Sequence, residues 1–177
     1  SHLVKICDIT QFFSPTSGGV KRYLLSKAAY IQTQAGISQV LIVPGGRDDK
    51  TVEGALTTYT VASPKIPGTQ SYRLLYRIGR IRTILEMEKP DLVEVGDPYH
   101  LGWAVSRLTR KMRLPLVSFY HSDYPRALER TVERFLGKRP AKWSQRALSR
   151  YIVGLYNRMT ATFVASASTL ETLRQCG

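Results

Sequence analysis

Two short clusters in this 177-residue chain carry side chains suited to chemistry. The first is Ser17-Gly18-Gly19-Val20-Lys21-Arg22, lying between an apolar run and a helical pattern. Gly18 and Gly19 at a helix start let backbone N–H groups approach an anion closely. Lys21 and Arg22 strengthen that preference, and the Arg22 fork suits a phosphate well. The plain alternative is a tight turn whose cations face water. The second cluster is Ser118-Phe119-Tyr120-His121-Ser122-Asp123, at the end of another apolar run. A histidine takes or relays a proton near neutral pH, so His121 is the candidate catalytic residue; a satisfied structural histidine is the other reading. Asp123 either orients His121 or caps the helix that follows. Asp97 faces a substrate or caps the helix beginning at His100, and the cap is the stronger reading there.

These residues need elements to position them. Leu3 to Ile9 reads as a buried first strand, followed by a helix from Val20 to Ala35 that Gly36 ends. Gln39 to Val43 reads as a second buried strand, stopped by Pro44-Gly45-Gly46, and Ala55 to Ala62 as a strand at a sheet edge. From Gln70 to Glu88, Leu75, Ile78, Ile81 and Leu85 recur at helical spacing. A strand over 90–96, a helix from His100 to Met112 and a strand from Pro115 to Tyr120 follow. Two helical segments are expected over 125–136 and 142–159, then a sixth strand over 161–165 and a helix from Ser168. Strands alternating with helices predict an α/β, three-layer Rossmann-like domain with a mostly parallel sheet. Ligands of such sheets bind beyond the carboxyl ends of the strands, where the Gly18-Gly19, Asp97 and His121 loops all fall.

Composition narrows the class. At 43% hydrophobic the chain can bury a core. Its two cysteines, Cys7 and Cys176, form neither a metal cluster nor a disulfide framework, and a reducing compartment is the simpler expectation. The three histidines, His2, His100 and His121, lack metal-ligand spacing, so no metal is expected. No apolar run matches a membrane span. A formal net charge of +13 calls for an anionic partner. Nine basic residues between Arg126 and Arg158, against Glu129 and Glu133, carry more than half of the excess. That stretch is either a solvated helix surface or a face docking on anionic lipid headgroups, with Trp143 and Tyr151 at the interface.

In that order and setting, four motifs resemble the N-terminal half of a GT-B glycosyltransferase of the retaining family called glycosyl transferase group 1, or family 4. They are Pro15-Thr16-Ser17-Gly18-Gly19-Val20-Lys21-Arg22-Tyr23, Pro90-Asp91-Leu92-Val93-Glu94-Val95, the strand from Pro115 into His121-Ser122-Asp123, and Ala161-Thr162-Phe163-Val164-Ala165-Ser166. The resemblance implies an acceptor-side domain, with a nucleotide-sugar donor as co-substrate and no other cofactor. The donor-gripping half, with its E-x-x-x-x-x-x-x-E pair, would follow Gly177 in a longer protein, and residues 1–177 alone are expected to be inactive. By the same resemblance His121 contacts the transferred sugar or the acceptor hydroxyl. Gly18, Gly19, Lys21, Arg22, Asp97, Asp123 and Tyr124 are then the candidate substrate-binding residues. The acceptor would be a lipid, polysaccharide or small molecule, in the cytoplasm or at the inner membrane face.

The charge also fits a non-catalytic Rossmann-like module that binds nucleic acid, but no helix-turn-helix, zinc-finger or RNA-recognition signature accompanies it. A dinucleotide-dependent oxidoreductase would need G-x-G-x-x-G and an acid after the second strand, and neither is here. No G-x-x-x-x-G-K-[ST] run exists, which excludes a P-loop NTPase.

Overall fold

In a computed structural model of the chain, the described residues are 4–13, 19–69, 72–96, 100–120 and 161–164. The chain divides into two compact units, Ser1–Val117 and Ser118–Gly177. The first unit begins with β1 (Val4–Ile9), α1 (Gly19–Gln32) and β2 (Ile37–Gly45). It continues through β3 (Asp49–Glu53), β4 (Leu56–Ala62), α2 (Ile78–Glu88), β5 (Leu92–Val95) and α3 (His100–Lys111). Strand β6 (Leu116–Tyr120) starts in the first unit, and β7 (Ala161–Val164) belongs to the second.

In the first unit the sheet runs β3-β4-β2-β1-β5, with the start of β6 beside β5. β1 pairs in parallel with both β2 and β5, and β2 in parallel with β4. The crossover through α1 runs one way along the sheet and that through α2 the other. Right-handed crossovers of opposite direction place their helices on opposite faces, as expected of a doubly wound fold. Alternation along the strands supplies both faces with apolar side chains. Leu41 and Val43 meet Leu24 of α1, while Cys7, Ile9, Val40, Ile42, Val93 and Val95 fill the opposite side.

Four expectations need correction. β4 is not an edge strand: β3 pairs antiparallel with it, from Asp49↔Thr60 to Glu53↔Leu56. Every residue of β3 is exposed, so it carries no apolar alternation; the two-residue turn at Gly54-Ala55, with φ +59 at Gly54, sets the hairpin. Pro44 does not stop β2, which runs to Gly45. The proline's missing N–H points to the β1 side, where the β1 ladder has already ended at Ile9↔Ile42. The first helix ends at Gln32, four residues before Gly36 (φ +84), whose carbonyl accepts from the N–H of Val4 instead. Finally, α2 starts at Ile78, not Gln70. Residues 72–74 fold back on the preceding loop, with Ile66 N–H to Tyr72 O and Leu74 N–H to Pro64 O, which consumes the backbone groups a longer helix would use.

His100, without a foreseen partner, has one: its Nε2 lies 3.0 Å from the carbonyl oxygen of Leu75. No helix among the described residues is long and apolar enough to cross a membrane. The segments expected to be helical over 125–136, 142–159 and from Ser168, and the basic stretch 126–158, lie outside the described residues.

Candidate functional site

Of the candidate residues, Gly19, Lys21 and Arg22 fall in the first turn of α1. Gly18, Asp97, His121, Asp123 and Tyr124 lie outside the described residues, although β6 ends at Tyr120, immediately before His121. Lys21 and Arg22 diverge. Arg22 is exposed, whereas Lys21 is half-buried with its Nζ 5.5 Å from the centre of the Phe13 ring.

Lys21 there forms one wall of a cleft of about 350 Å³ at the carboxyl ends of β2 and β4. Phe13, Val43 and Pro44 give the cleft an apolar side; Thr58 and Thr60 contribute hydroxyls, and Arg73 a second cation. Thr58 and Thr60 share a face because they are two apart on β4, and Thr60 is in register with Val43 of β2. The Arg73 guanidinium is anchored by an Nη1 bond of 2.9 Å to the carbonyl of Ser63, one of the five N–H donors an arginine carries. A side chain at Gly45 would collide with the Thr60 methyl, so glycine there keeps β2 and β4 closely apposed at the cleft floor. Two cations, two hydroxyls and an apolar wall suit a polar ligand bearing a negative group, phosphate or carboxylate. Arg73 and the two threonines escaped the sequence reading, because Arg73 was placed within a helix and the threonines on an edge strand.

Beneath α1 lies a second polar assembly. Asp8, 1% exposed, stands in register with Glu94 of β5, so two carboxylates sit side by side under the helix. Lys27 reaches down between them, 2.7 Å from Asp8 Oδ1 and in contact with Glu94 Oε2. Tyr23, one turn earlier, donates its hydroxyl to Glu94 Oε1 at 2.9 Å. From β2, Gln39 Nε2 donates to Asp8 Oδ2 at 2.7 Å. A buried acid within an apolar strand was the available sign of this assembly, since unpaired carboxylates are almost never enclosed.

Burial pushes the Asp8 carboxyl up to about 7; Lys27 opposes the rise, and Glu94 adds to it. Burial acts on Glu94 in the same sense, but its bonds and the Lys27 charge outweigh it and hold it below the usual carboxylate range. Lys27, despite its own burial, is raised by the two acids, and the Tyr23 phenol is raised by burial and by Glu94. The pair therefore keeps one proton on Asp8 at mildly acidic pH while Glu94 stays charged. Gln39 Oε1 has no hydrogen-bond partner among the described residues, and a half-turn of the amide would let it accept from protonated Asp8.

The sign of the pH effect follows. A carboxyl whose folded pKa exceeds its unfolded value binds its proton more tightly in the native state. Its stability contribution is full below the ordinary aspartate value of 3.8 and is lost as pH rises towards 7. Asp8→Asn is accordingly expected to flatten the fall in Tm between about pH 4 and 7. Melting curves across that range check this, and a variant whose pH profile parallels the parent's would contradict it.

Comparison with known proteins decides the class. The family model described as Glycosyltransferase Family 4 matches residues 17–177. The chain belongs to that family. It is 20% identical over 177 residues to a GDP-mannose-dependent alpha-mannosyltransferase of Corynebacterium glutamicum, covering 98% of this chain and 41% of that protein. It is 28% identical over 140 residues to a GDP-mannose-dependent alpha-(1-6)-phosphatidylinositol dimannoside mannosyltransferase of Mycobacterium tuberculosis, covering 78% and 35% respectively. The chain thus spans about two fifths or less of the curated relatives it matches. Among solved structures, Glycyrrhiza uralensis UGT73P12, complexed with glycyrrhetinic acid 3-O-monoglucuronide, superposes with a TM-score of 0.58 at 13% identity. The match covers 98% of this chain and 47% of that one. An E. coli trehalose-6-phosphate structure with bound UDP-2-fluoro glucose gives 0.53 at 12% identity, covering 97% and 42%. These likenesses bear out the α/β, Rossmann-like fold and the GT-B half expected from the motifs. Family membership displaces the nucleic-acid-binding alternative.

Proposed function

We propose that this chain is the acceptor-side domain of a nucleotide-sugar-dependent glycosyltransferase, and that its cleft holds a negatively charged group of the acceptor. The observation that carries the reading is the pairing of Lys21 with Arg73 across a cleft at the carboxyl ends of β2 and β4. Holding the acceptor by its anion there fixes where its hydroxyl points, and fixed orientation is a large part of what a transferase contributes. The relatives' names supply the donor to try first, GDP-mannose, and one of them names a phosphatidylinositol-based acceptor, which carries a phosphate. His121, directly after β6, is the residue proposed to meet the sugar or the acceptor hydroxyl.

Arg73→Ala in the enzyme that carries this domain is expected to raise KM for a phosphorylated acceptor about 10-fold or more, as loss of a charged hydrogen bond does. KM for GDP-mannose should be unchanged, and the penalty should vanish with the dephosphorylated acceptor. Equal penalties on both acceptors, or a change confined to the donor, would overturn the placement of the anion.

A further inference from the structure

The Asp8–Lys27–Glu94–Tyr23 assembly does not line the cleft, yet it lies under the helix that carries Lys21. Apolar contacts of Leu24 with Leu41 and Val43 hold α1 to the sheet but leave its rotation loosely specified, because such contacts are non-directional. The polar contacts are directional. Tyr23 and Lys27 are four residues apart, on one face of α1, and both engage Glu94 on β5 while Lys27 also engages Asp8 on β1. Lys21 is two residues before Tyr23, on the far side of the same turn at 3.6 residues per turn. Any rotation that loosens Tyr23 and Lys27 therefore displaces Lys21 from its place above Phe13.

We propose that Asp8, Lys27, Glu94 and Tyr23 form a positioning clasp that fixes the rotation of α1 and thereby presents Lys21 to the cleft. The proposal rests on the reading of the cleft as an anion site. None of the four is a catalytic residue; each acts through Lys21. Among the described residues, the polar groups facing one another are Tyr23 and Lys27 from α1, Asp8 from β1, Glu94 from β5 and Gln39 from β2. Cys7 faces the opposite side of the sheet, buried and with its thiol pushed up by that burial. Glu94 also stands two residues before Gly96, at the end of the strand that leads to Asp97. The clasp thus ties α1 to β5.

The test is a double-substitution cycle in the full-length protein, with inorganic phosphate as the probe. Tyr23→Phe removes one hydroxyl and leaves the buried Lys27 pair intact, so the fold should survive. Phosphate affinity, measured by calorimetry, is expected to fall about 5-fold in the parent background and not at all in a Lys21→Met background. Amide exchange over residues 21–27 should be faster in Tyr23→Phe, with the rest of the sheet unchanged. Unchanged phosphate affinity, or an equal loss in both backgrounds, would overturn the clasp as a positioning device. If the parent binds no phosphate, the cleft reading falls and exchange decides alone: protection over 21–27 equal to the parent's sinks the clasp, and selective loss there supports it.

Discussion

His121→Ala, in the enzyme that contains this domain, is expected to lower kcat by about 100-fold or more, the usual scale for losing a positioned proton-transfer group. The Tm should stay within a few degrees of the parent's, since a residue at a strand's carboxyl end contributes more to the site than to the core. Strand β6 runs to Tyr120, so His121 follows it directly in the sequence, and open α/β folds bind ligands beyond the carboxyl ends of their strands. A histidine there suits either a bond to the sugar or a proton relay from the acceptor hydroxyl. Steady-state kinetics with saturating donor and acceptor check the prediction. A kcat within a factor of two of the parent's would remove His121 from the site.

The second large effect falls on stability. Lys27→Met should destabilise the protein by about 3–5 kcal/mol, because it strands two buried carboxylates without their cation. Asp8 and Glu94 are 1% and 7% exposed, so water cannot replace the ammonium group. The cost should be smaller at pH 5 than at pH 8, since a protonated Asp8 needs no cation, and burial favours its proton all the more once Lys27 no longer opposes it. Adding Asp8→Asn and Glu94→Gln to Lys27→Met should recover most of the loss, as neutral replacement of a whole buried network often does. Urea unfolding of the parent and the two variants measures this. A loss under about 1 kcal/mol for Lys27→Met at pH 8 would mean that the network is hydrated in solution.

The sheet was legible where burial is written as apolar runs. Ile6, Val40 to Val43 and Leu92 to Val95 sit in central parallel strands enclosed on both faces, which leave a continuous hydrophobic signature. Asp49 to Glu53 left none, because the outermost strand is exposed throughout and only the Gly54 turn betrays it. Leu75 misled in the other direction. It is fully buried and falls in helical phase with Ile78 and Ile81, but it enters the core from an extended segment whose N–H bonds to Gln11 Oε1. Periodicity reports which side chains are buried, not the backbone that delivers them.

The site divides along the same line. Lys21 could be named from the sequence because it follows a glycine pair at a helix start, a local pattern. Arg73, Thr58 and Thr60 could not, since only the pairing of β2 with β4 brings them to Lys21. The clasp is still less local: its members, at 8, 23, 27 and 94, meet through two adjacent strands and one helix. What the sequence does show is the anomaly of a carboxylate in each of two apolar strands, which demands a buried cation somewhere.

The most direct test of the central claim is product analysis by mass spectrometry. The full-length protein and residues 1–177 alone would each be incubated with GDP-mannose and a phosphorylated acceptor. An acceptor-side domain predicts a mannosylated product from the full-length protein, none from residues 1–177, and sharply less when Arg73 is replaced by alanine. Transfer by residues 1–177 alone would contradict the account, as would a full-length protein that transfers from no nucleotide sugar.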